Sequence, residues 1–344
     1  MESEKIFCDW ITVRQKHSEK HEQFSSGIKT ITDPDTGQVI QQSRVPYSLK
    51  GHHGSNLNIS SDGETVRVDG NPSRWNRSEN YQGLTLDQVK TLTNQILNSV
   101  NLPSFTGGKI VQLQDGGQLY TGAIFSRIDL TENVKTGSPQ KRDAYLKHQQ
   151  TQEYPKLEKQ LFGKNIYYGK QSESRTLRIY DKALQLLEEV LPKVKDADQR
   201  QYITSLIDWC NQNGIIRFEI EYRRYLRQKN LRFWHLATSA RLAKQFNKDH
   251  QFMSKEIQAL AETDIPTSVL GTLCMYMAGH NVKERLSEKT YYKHRKILRE
   301  YGYDIANQNV HLLQPKVQII TLEPAGVPDF YRHAQKTLGP KAVK

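Results

Sequence analysis

The chain has 344 residues and carries 49 Lys and Arg against 37 Asp and Glu, a net charge of +12. That surplus, with a pI of about 9.4 and a mean hydropathy of -0.73, favours a polyanionic partner, because each neutralised phosphate releases counterions. No apolar run approaches the ~20 residues of a spanning helix, the N-terminus lacks the shape of a signal peptide, and Cys8, Cys210 and Cys274 fit neither a disulfide framework nor a Cys-rich zinc site. The expectation is a cytoplasmic protein with no membrane partner.

Asp9-Trp-Ile-Thr-Val-Arg14 alternates and is rich in β-formers, which predicts a first strand. Asp33-Pro-Asp-Thr-Gly37 signals a turn, and the β-prone pieces between Val39 and Asp69, split by glycine-containing turns, predict an antiparallel meander. The polar loop Gly70 to Gly83 interleaves Arg74, Trp75 and Arg77. That mixture suits a phosphate backbone with a stacked base as well as it suits an ordinary ordered loop. Thr85-x-x-Gln88 has the form of a capping box, and Val89, Leu92, Ile96, Leu97 and Val100 recur at helical spacing.

Ala123 to Leu130 predicts a buried strand with Arg127 and Asp129 on one face. Burial tolerates that pair only when the charges are ion-paired or bound to a metal. Residues 135–165 predict a helix plus loop. Leu177-Arg-Ile-Tyr-Asp-Lys182 alternates, so Arg178, Tyr180 and Lys182 share one face of a strand, and Leu177 and Ile179 share the other. A tyrosine between two cations suits phosphate chemistry, although alone the run reads better as an amphipathic edge strand with its charges in water. Helical patterns run on to Pro192 and again from Asp198 to Asn213. Ile215 to Arg224 predicts a strand with Arg217, Glu219 and Glu221 on one face. Two carboxylates at i and i+2 repel unless a divalent ion or an arginine lies between them.

Residues 226–250 read as a basic helical segment, and Ile265-Pro266 marks a boundary. An apolar helix at 268–280 precedes a basic one capped by Ser287 and stopped by Gly302, with Lys289, Lys293, Arg295, Lys296 and Arg299 outward. A short turn before a basic helix fits a helix-turn-helix placed in a major groove. The expected fold is α+β: an antiparallel β-sheet core with helices on one face, followed by a small helical, helix-turn-helix-like C-terminal region. The expected boundaries are a catalytic domain at 1–264, a helical region at 265–322 and a loosely ordered tail at 323–344. If the three polar-faced strands neighbour one another, Asp129, Glu219 and Glu221 gather beside Tyr180. Their oxygens are the hard ligands that Mg²⁺ or Mn²⁺ takes, and the ion would polarise a phosphodiester for attack by the tyrosine.

An ordered set of short runs carries a resemblance. They are Asp9 to Arg14, Val68-Asp-Gly-Asn-Pro-Ser-Arg-Trp75 with Asn80 and Gly83, and Ser126-Arg-Ile-Asp-Leu130. They continue with Tyr168-Gly, Ser174-Arg, Ile179-Tyr-Asp-Lys182, Arg217-Phe-Glu-Ile-Glu221, and Thr290-Tyr-Tyr-Lys-His-Arg-Lys-Ile-Leu298 with Gly302 and Asp304-Ile. Together they resemble the filamentous-phage gene II/X family of phage and plasmid replication initiators. The core is also similar to that of plasmid rolling-circle initiators with an Arg-Ile-Tyr-Asn-Lys strand, though this chain reads Tyr-Asp-Lys there. It has no His-hydrophobic-His pair, so histidine-based metal chemistry is not assigned.

The resemblance implies a nicking and rejoining enzyme that starts rolling-circle replication. Tyr180 would form a 5′-phosphotyrosyl intermediate and leave a 3′-OH primer. Arg178 and Lys182 would hold the scissile phosphate and lower the phenol pKa from its usual ~10, and Asp129 and Glu219, with Glu221, would bind Mg²⁺ or Mn²⁺. The Arg/Trp loop and the C-terminal basic helix would bind origin DNA, double- and single-stranded. Host helicase and polymerase are the implied partners, and a homodimer is allowed. Whether Tyr168 or Tyr222 assists rejoining is left open. A non-catalytic origin-binding or repressor protein would keep the same helices, with the carboxylates in structural salt bridges. Convergence of Asp129, Tyr180 and Glu219 separates the two.

Overall fold

The computed structural model describes residues 5–114, 116–250, 256–260, 265–300, 303–306 and 317–331. The chain forms two compact units, residues 1–255 with 321–344 and residues 256–320. The strands of the first unit begin with β1 (Ile6–Lys16), β2 (Gly27–Thr32), β3 (Val39–Val45), β4 (Tyr47–Lys50), β5 (Asn56–Ser61), β6 (Thr65–Gly70), β7 (Ile110–Gln112) and β8 (Gln118–Tyr120). They continue with β9 (Ile124–Lys135), β10 (Lys159–Phe162), β11 (Asn165–Tyr168), β12 (Arg175–Asp181) and β13 (Ile215–Tyr222). Its helices are α1 (Leu86–Ser99), α2 (Pro139–Thr151), α3 (Lys182–Gln185), α4 (Ala197–Gln212), α5 (Arg224–Gln228) and α6 (Ser239–His250). The second unit pairs β14 (Glu256–Leu260) with β15 (Val317–Thr321) and holds α7 (Thr267–Met277), α8 (Val282–Arg285) and α9 (Glu288–Glu300). A last short strand, β16 (Glu323–Pro324), returns to the first unit.

One ten-stranded sheet organises the first unit, in the order β10-β11-β12-β13-β9-β1-β6-β5-β4, with β16 also on β9. Period-two alternation sorts its two faces. Ile11, Val13, Val66, Val68, Phe125, Ile128, Leu177, Ile179, Phe218 and Ile220 are buried on one face. Trp234 stacks on Phe125 at 5.2 Å, Tyr145 of α2 meets Phe218 edge-on, and His250 of α6 lies 4.3 Å from Phe218. The other face carries Asp129, Arg178, Tyr180, Arg217, Glu219 and Glu221.

Helices were expected on one face only, but they cover both. The polar-face row of β13 begins with Ile215 before Arg217, and that apolar start seats α3 and α4. Leu186, Ile203, Leu206 and Cys210 pack there with Tyr81 and Ile215. The capping box at α1 forms as read: Thr85 N–H donates to Gln88 Oε1 at 2.9 Å, and Gln88 N–H donates to Thr85 Oγ1 at 3.4 Å.

The tail expected to be loosely ordered after residue 322 is corrected for residues 323–331; residues 332–344 lie outside the described ones. Glu323 and Pro324 pair with Lys135 and Val134, and Tyr331 is buried among the α3–α4 apolar side chains. The Tyr331 hydroxyl accepts from Arg77 Nη2 at 2.5 Å and donates to Glu79 Oε1 at 3.1 Å. Removing it takes one hydrogen bond from each member of a buried ion pair, so Tyr331→Phe is expected to cost about 1–3 kcal/mol of stability. A urea unfolding midpoint unchanged from wild type would refute that role.

The second unit is built round Val269, Leu273, Val282, Tyr291, Leu298 and Ile305. Ser287 Oγ accepts from Thr290 N–H at 3.3 Å, as its N-cap reading requires. Gly302, read as the stop of α9, lies outside the described residues.

Candidate active site

Antiparallel register brings the polar rows of β9, β13 and β12 side by side. Asp129 stands opposite Glu221, Glu219 opposite Arg178, and Arg217 opposite Tyr180. The Tyr180 phenol is 2% exposed and donates to Glu219 Oε1 at 2.5 Å. The Arg178 guanidinium lies over the Tyr180 ring at 4.2 Å and reaches Glu219 Oε2 at 3.6 Å and Glu189 Oε1 at 3.8 Å.

The pair of cations expected to ease phenol ionisation does not prevail. Burial pushes the Tyr180 phenol well above its ordinary 10, and Glu219 adds to that, while Arg217 and Arg178 pull the other way. In water-poor surroundings the neutral phenol is the favoured form. Glu219 is the carboxylate that accepts the hydrogen bond of that phenol.

Lys182 does not share the row. Its strand ends at Asp181, whose side chain caps α3, and Lys182 falls in the first turn. Its Nζ is buried and donates to Asn80 Oδ1 at 2.9 Å and Gln185 Oε1 at 2.7 Å. Burial and then Arg217 push its pKa down to about 7. A phosphate-holding role beside the phenol is not what this placement offers.

Arg217 is fully buried. It donates through Nε to Asn133 Oδ1 at 2.8 Å and through Nη2 to the Tyr81 carbonyl at 2.8 Å. Among the described residues its Nη1 has no hydrogen-bond partner, and it lies 3.9 Å from Asp9 Oδ2. Asp9 is a group that the sequence reading passed over. In β1, Cys8 pairs with Leu130 but Trp10 pairs with Asp129, so Asp9 is the extra residue of a bulge. A bulge re-aims a side chain, and Asp9 accepts from Asn71 Nδ2 at 2.7 Å and from Asn80 Nδ2 at 3.0 Å. Asp9, Trp10, Asn71, Arg74, Asn80, Asp129 and Glu189 line a cleft of about 250 Å³.

The three carboxylates expected at a metal converge, but arginines hold them. Asp129 accepts from Arg127 Nε at 2.8 Å and from Nη2 at 2.6 Å. Glu221 pairs with Arg127 at 3.2 Å and with Arg223, and Glu219 is engaged by the phenol. Among the described residues, no three carboxylate, imidazole or thiolate groups are arranged to hold a metal ion. Burial nevertheless pushes the Asp129 carboxyl up to about 7 against the pull of Arg127, with Glu221 and Glu219 adding to it. The raise is mainly the cost of taking the Asp129 charge out of water. Carboxylate oxygens are hard donors of the kind a divalent cation takes, and such an ion would have to compete with Arg127 for those of Asp129 and Glu221.

A pH dependence follows. A carboxyl near 7 when folded and near ~4 when unfolded binds more proton in the native state between those values. Its contribution to stability is present below ~4 and lost as pH rises through 7. Wild type should therefore lose stability relative to Asp129→Asn across that window, read from urea midpoints at each pH. A difference that stays flat would mean that Asp129 is ionised throughout.

Other expected contacts are redistributed. Arg74 lines the cleft and Trp75 is half-buried beside it. Arg77, expected to touch DNA, is buried in its contacts with Glu79 and Tyr331, because the returning chain end covers it. On α9, Lys289, Lys293, Lys296 and Arg299 are exposed. Arg295 is instead tied to Asp304 by bonds of 2.7 and 3.0 Å, and these hold the Asp304 carboxyl down at about 2. Tyr168 and Tyr222 lie on the opposite face of the sheet from Tyr180 and are bonded there, Tyr168 to the Gln149 carbonyl at 3.0 Å and Tyr222 to Asp249 at 2.9 Å.

Comparison with known proteins gives matches along both units. The family described as the N-terminal part of the gene II replication-associated protein matches residues 7–249, and the one described as its C-terminal part matches residues 267–337. The replication-associated protein of this kind from Escherichia phage If1 is 27% identical over 296 residues, which is 76% of this chain and 91% of that one. That of Enterobacteria phage I2-2 is 24% identical over 352 residues, 94% and 96% of the two chains. A solved rolling circle replication initiator protein from Geobacillus stearothermophilus aligns over 79% of this chain and 84% of that chain at 11% identity, with a TM-score of 0.27, too loose to build on.

Proposed function

The chain belongs to the family of filamentous-phage gene II replication-associated proteins, and from that premise we propose that Tyr180 is the nucleophile with which it nicks its origin. The protein is a rolling-circle replication initiator, of a family that acts on DNA as a nicking endonuclease. The observation that carries the residue assignment is the 2.5 Å bond from the Tyr180 phenol to Glu219, with two guanidinium groups beside it.

As Glu219 takes the proton, the phenolic oxygen forms a bond to the scissile phosphorus. The 3′ oxygen of the preceding nucleotide leaves with a proton from solvent, giving a 5′-phosphotyrosyl enzyme and a free 3′-OH primer. The phosphodiester energy is kept in the ester, so rejoining the displaced strand needs no ATP. Arg178 exchanges Glu189 for the phosphate, and Nη1 of Arg217, which faces Asp9 at 3.9 Å and has no hydrogen bond among the described residues, meets the charge that develops on the phenolic oxygen. The phenol is buried, so strand entry has to uncover it. Tyr180 is the only tyrosine proposed for both nicking and rejoining.

Rolling-circle initiators are generally metal-dependent. Asp129, Glu219 and Glu221 are the proposed holders of Mg²⁺ or Mn²⁺, which when bound would polarise the phosphodiester as a Lewis acid. The exposed lysines of α9 and Arg74 are the proposed contacts to origin DNA, and host helicase and polymerase the proposed partners.

The test is to trap the adduct on supercoiled origin DNA, digest it, and map the residue that carries the 5′ phosphate. Tyr180 is expected. An adduct on Tyr168 or Tyr222, or none with any divalent cation, would end the assignment.

A further inference from the structure

We infer that Arg14 and Arg67 form a separate phosphate-binding subsite that grips the DNA strand several nucleotides from the nick, an inference that rests on the nicking reading above. The two arginines are directly opposite each other on β1 and β6, and both are exposed. Like charges directly opposite in a sheet are destabilising, so the pairing calls for an anion. None is supplied locally. Arg14 stands opposite Ile124 on its other side and Arg67 opposite Ser60. Among the described residues neither has a carboxylate at ion-pair distance, whereas Lys16, two residues along β1, reaches Glu64, just before β6, at 2.9 Å. The nearest carboxylate of the row, Asp69, is held through Oδ1 by Thr12 Oγ1 at 2.5 Å and Trp10 Nε1 at 3.3 Å, and it makes no ion pair with either arginine among the described residues.

Alternation puts Arg14 and Arg67 on the face that carries Tyr180. Arg14 follows Trp10 and Thr12 at intervals of two, and Trp10 stands opposite Asp129. Between the subsite and the cleft this face shows the half-buried Asn58, Asp69 and Trp10, with the Arg127 guanidinium over the Trp10 ring at 5.1 Å. Hydrogen-bonding side chains and an aromatic on an open sheet are the equipment of a single-strand platform. By register, Tyr180 lies level with Asn133 and Arg14 level with Ile124, three strands apart. At ~3.3 Å per residue and ~4.8 Å per strand, the separation is on the order of 30 Å. That is roughly nine nucleotides if the strand stays stacked, and fewer if it is extended.

The ligand is therefore the backbone of the strand to be cut. The test compares single-stranded origin oligonucleotides keeping three or twelve nucleotides on each side of the nick, with full-length wild type and Arg14→Ala/Arg67→Ala. Wild type should bind the long oligonucleotide at least about tenfold more tightly than one of the two truncated forms. The double variant should lose that preference, with a salt slope shallower by about 0.7 per lost phosphate contact. Its adduct formation on the short oligonucleotide should match wild type. If wild type is indifferent to truncation on both sides, or the double variant weakens short and long oligonucleotides equally, the subsite is refuted. Failure of wild type to form an adduct on any oligonucleotide would count against the nicking reading instead, and the binding comparison would still decide the subsite.

Discussion

Tyr180→Phe is expected to abolish both relaxation of supercoiled origin plasmid and the covalent protein–DNA adduct. Loss of a nucleophile costs up to ~10⁶-fold in rate, so no residual nicking should be visible. The change removes one hydroxyl from a buried ring. That frees Glu219 Oε1, which Arg178 can still reach through Oε2 at 3.6 Å. The fold and origin binding should therefore survive, as measured by thermal unfolding and by retardation of origin DNA. A variant that still relaxes the plasmid and still carries DNA would transfer the chemistry to another residue.

Glu219→Gln should be the second most damaging change. The amide keeps the shape and accepts the phenol's hydrogen bond, but it cannot take the proton. Losing a general base costs typically 10²–10⁴-fold. The Tyr180 phenol is held well above its ordinary 10, so without the base the rate should follow the scarce phenolate. It should then climb about tenfold per pH unit where wild type is flat. Nicking by the variant within threefold of wild type at neutral pH, or a flat pH profile, would show that Glu219 does not act as the base.

Much of this was readable from the residues. The alternation of β9, β12 and β13, the Thr85–Gln88 cap and the basic face of α9 are local patterns, and period and propensity express them without tertiary help. That is why Asp129, Tyr180 and Glu219 could be placed on strand faces before any pairing was known. Other features depend on contacts far apart in sequence. Arg77 reads as a free loop cation until Tyr331, 254 residues away, closes over it. Asp9 reads as an ordinary strand residue until the β1–β9 register makes it a bulge. Lys182 reads as continuing the row until Asp181 caps a helix and turns the chain.

The strands and their polar rows were legible from the residues alone, because side-chain order along a strand is local, and the family likeness pointed to Tyr180 among them. How those rows act on one another came from the packing of the folded chain. Burial and register placed Glu219 rather than a cation on the phenol, and so pushed its pKa up instead of down. The same register set arginines against the carboxylates and left Arg14 facing Arg67. Desolvation and cross-strand pairing are properties of neighbours in space, which the order of residues along one strand does not specify.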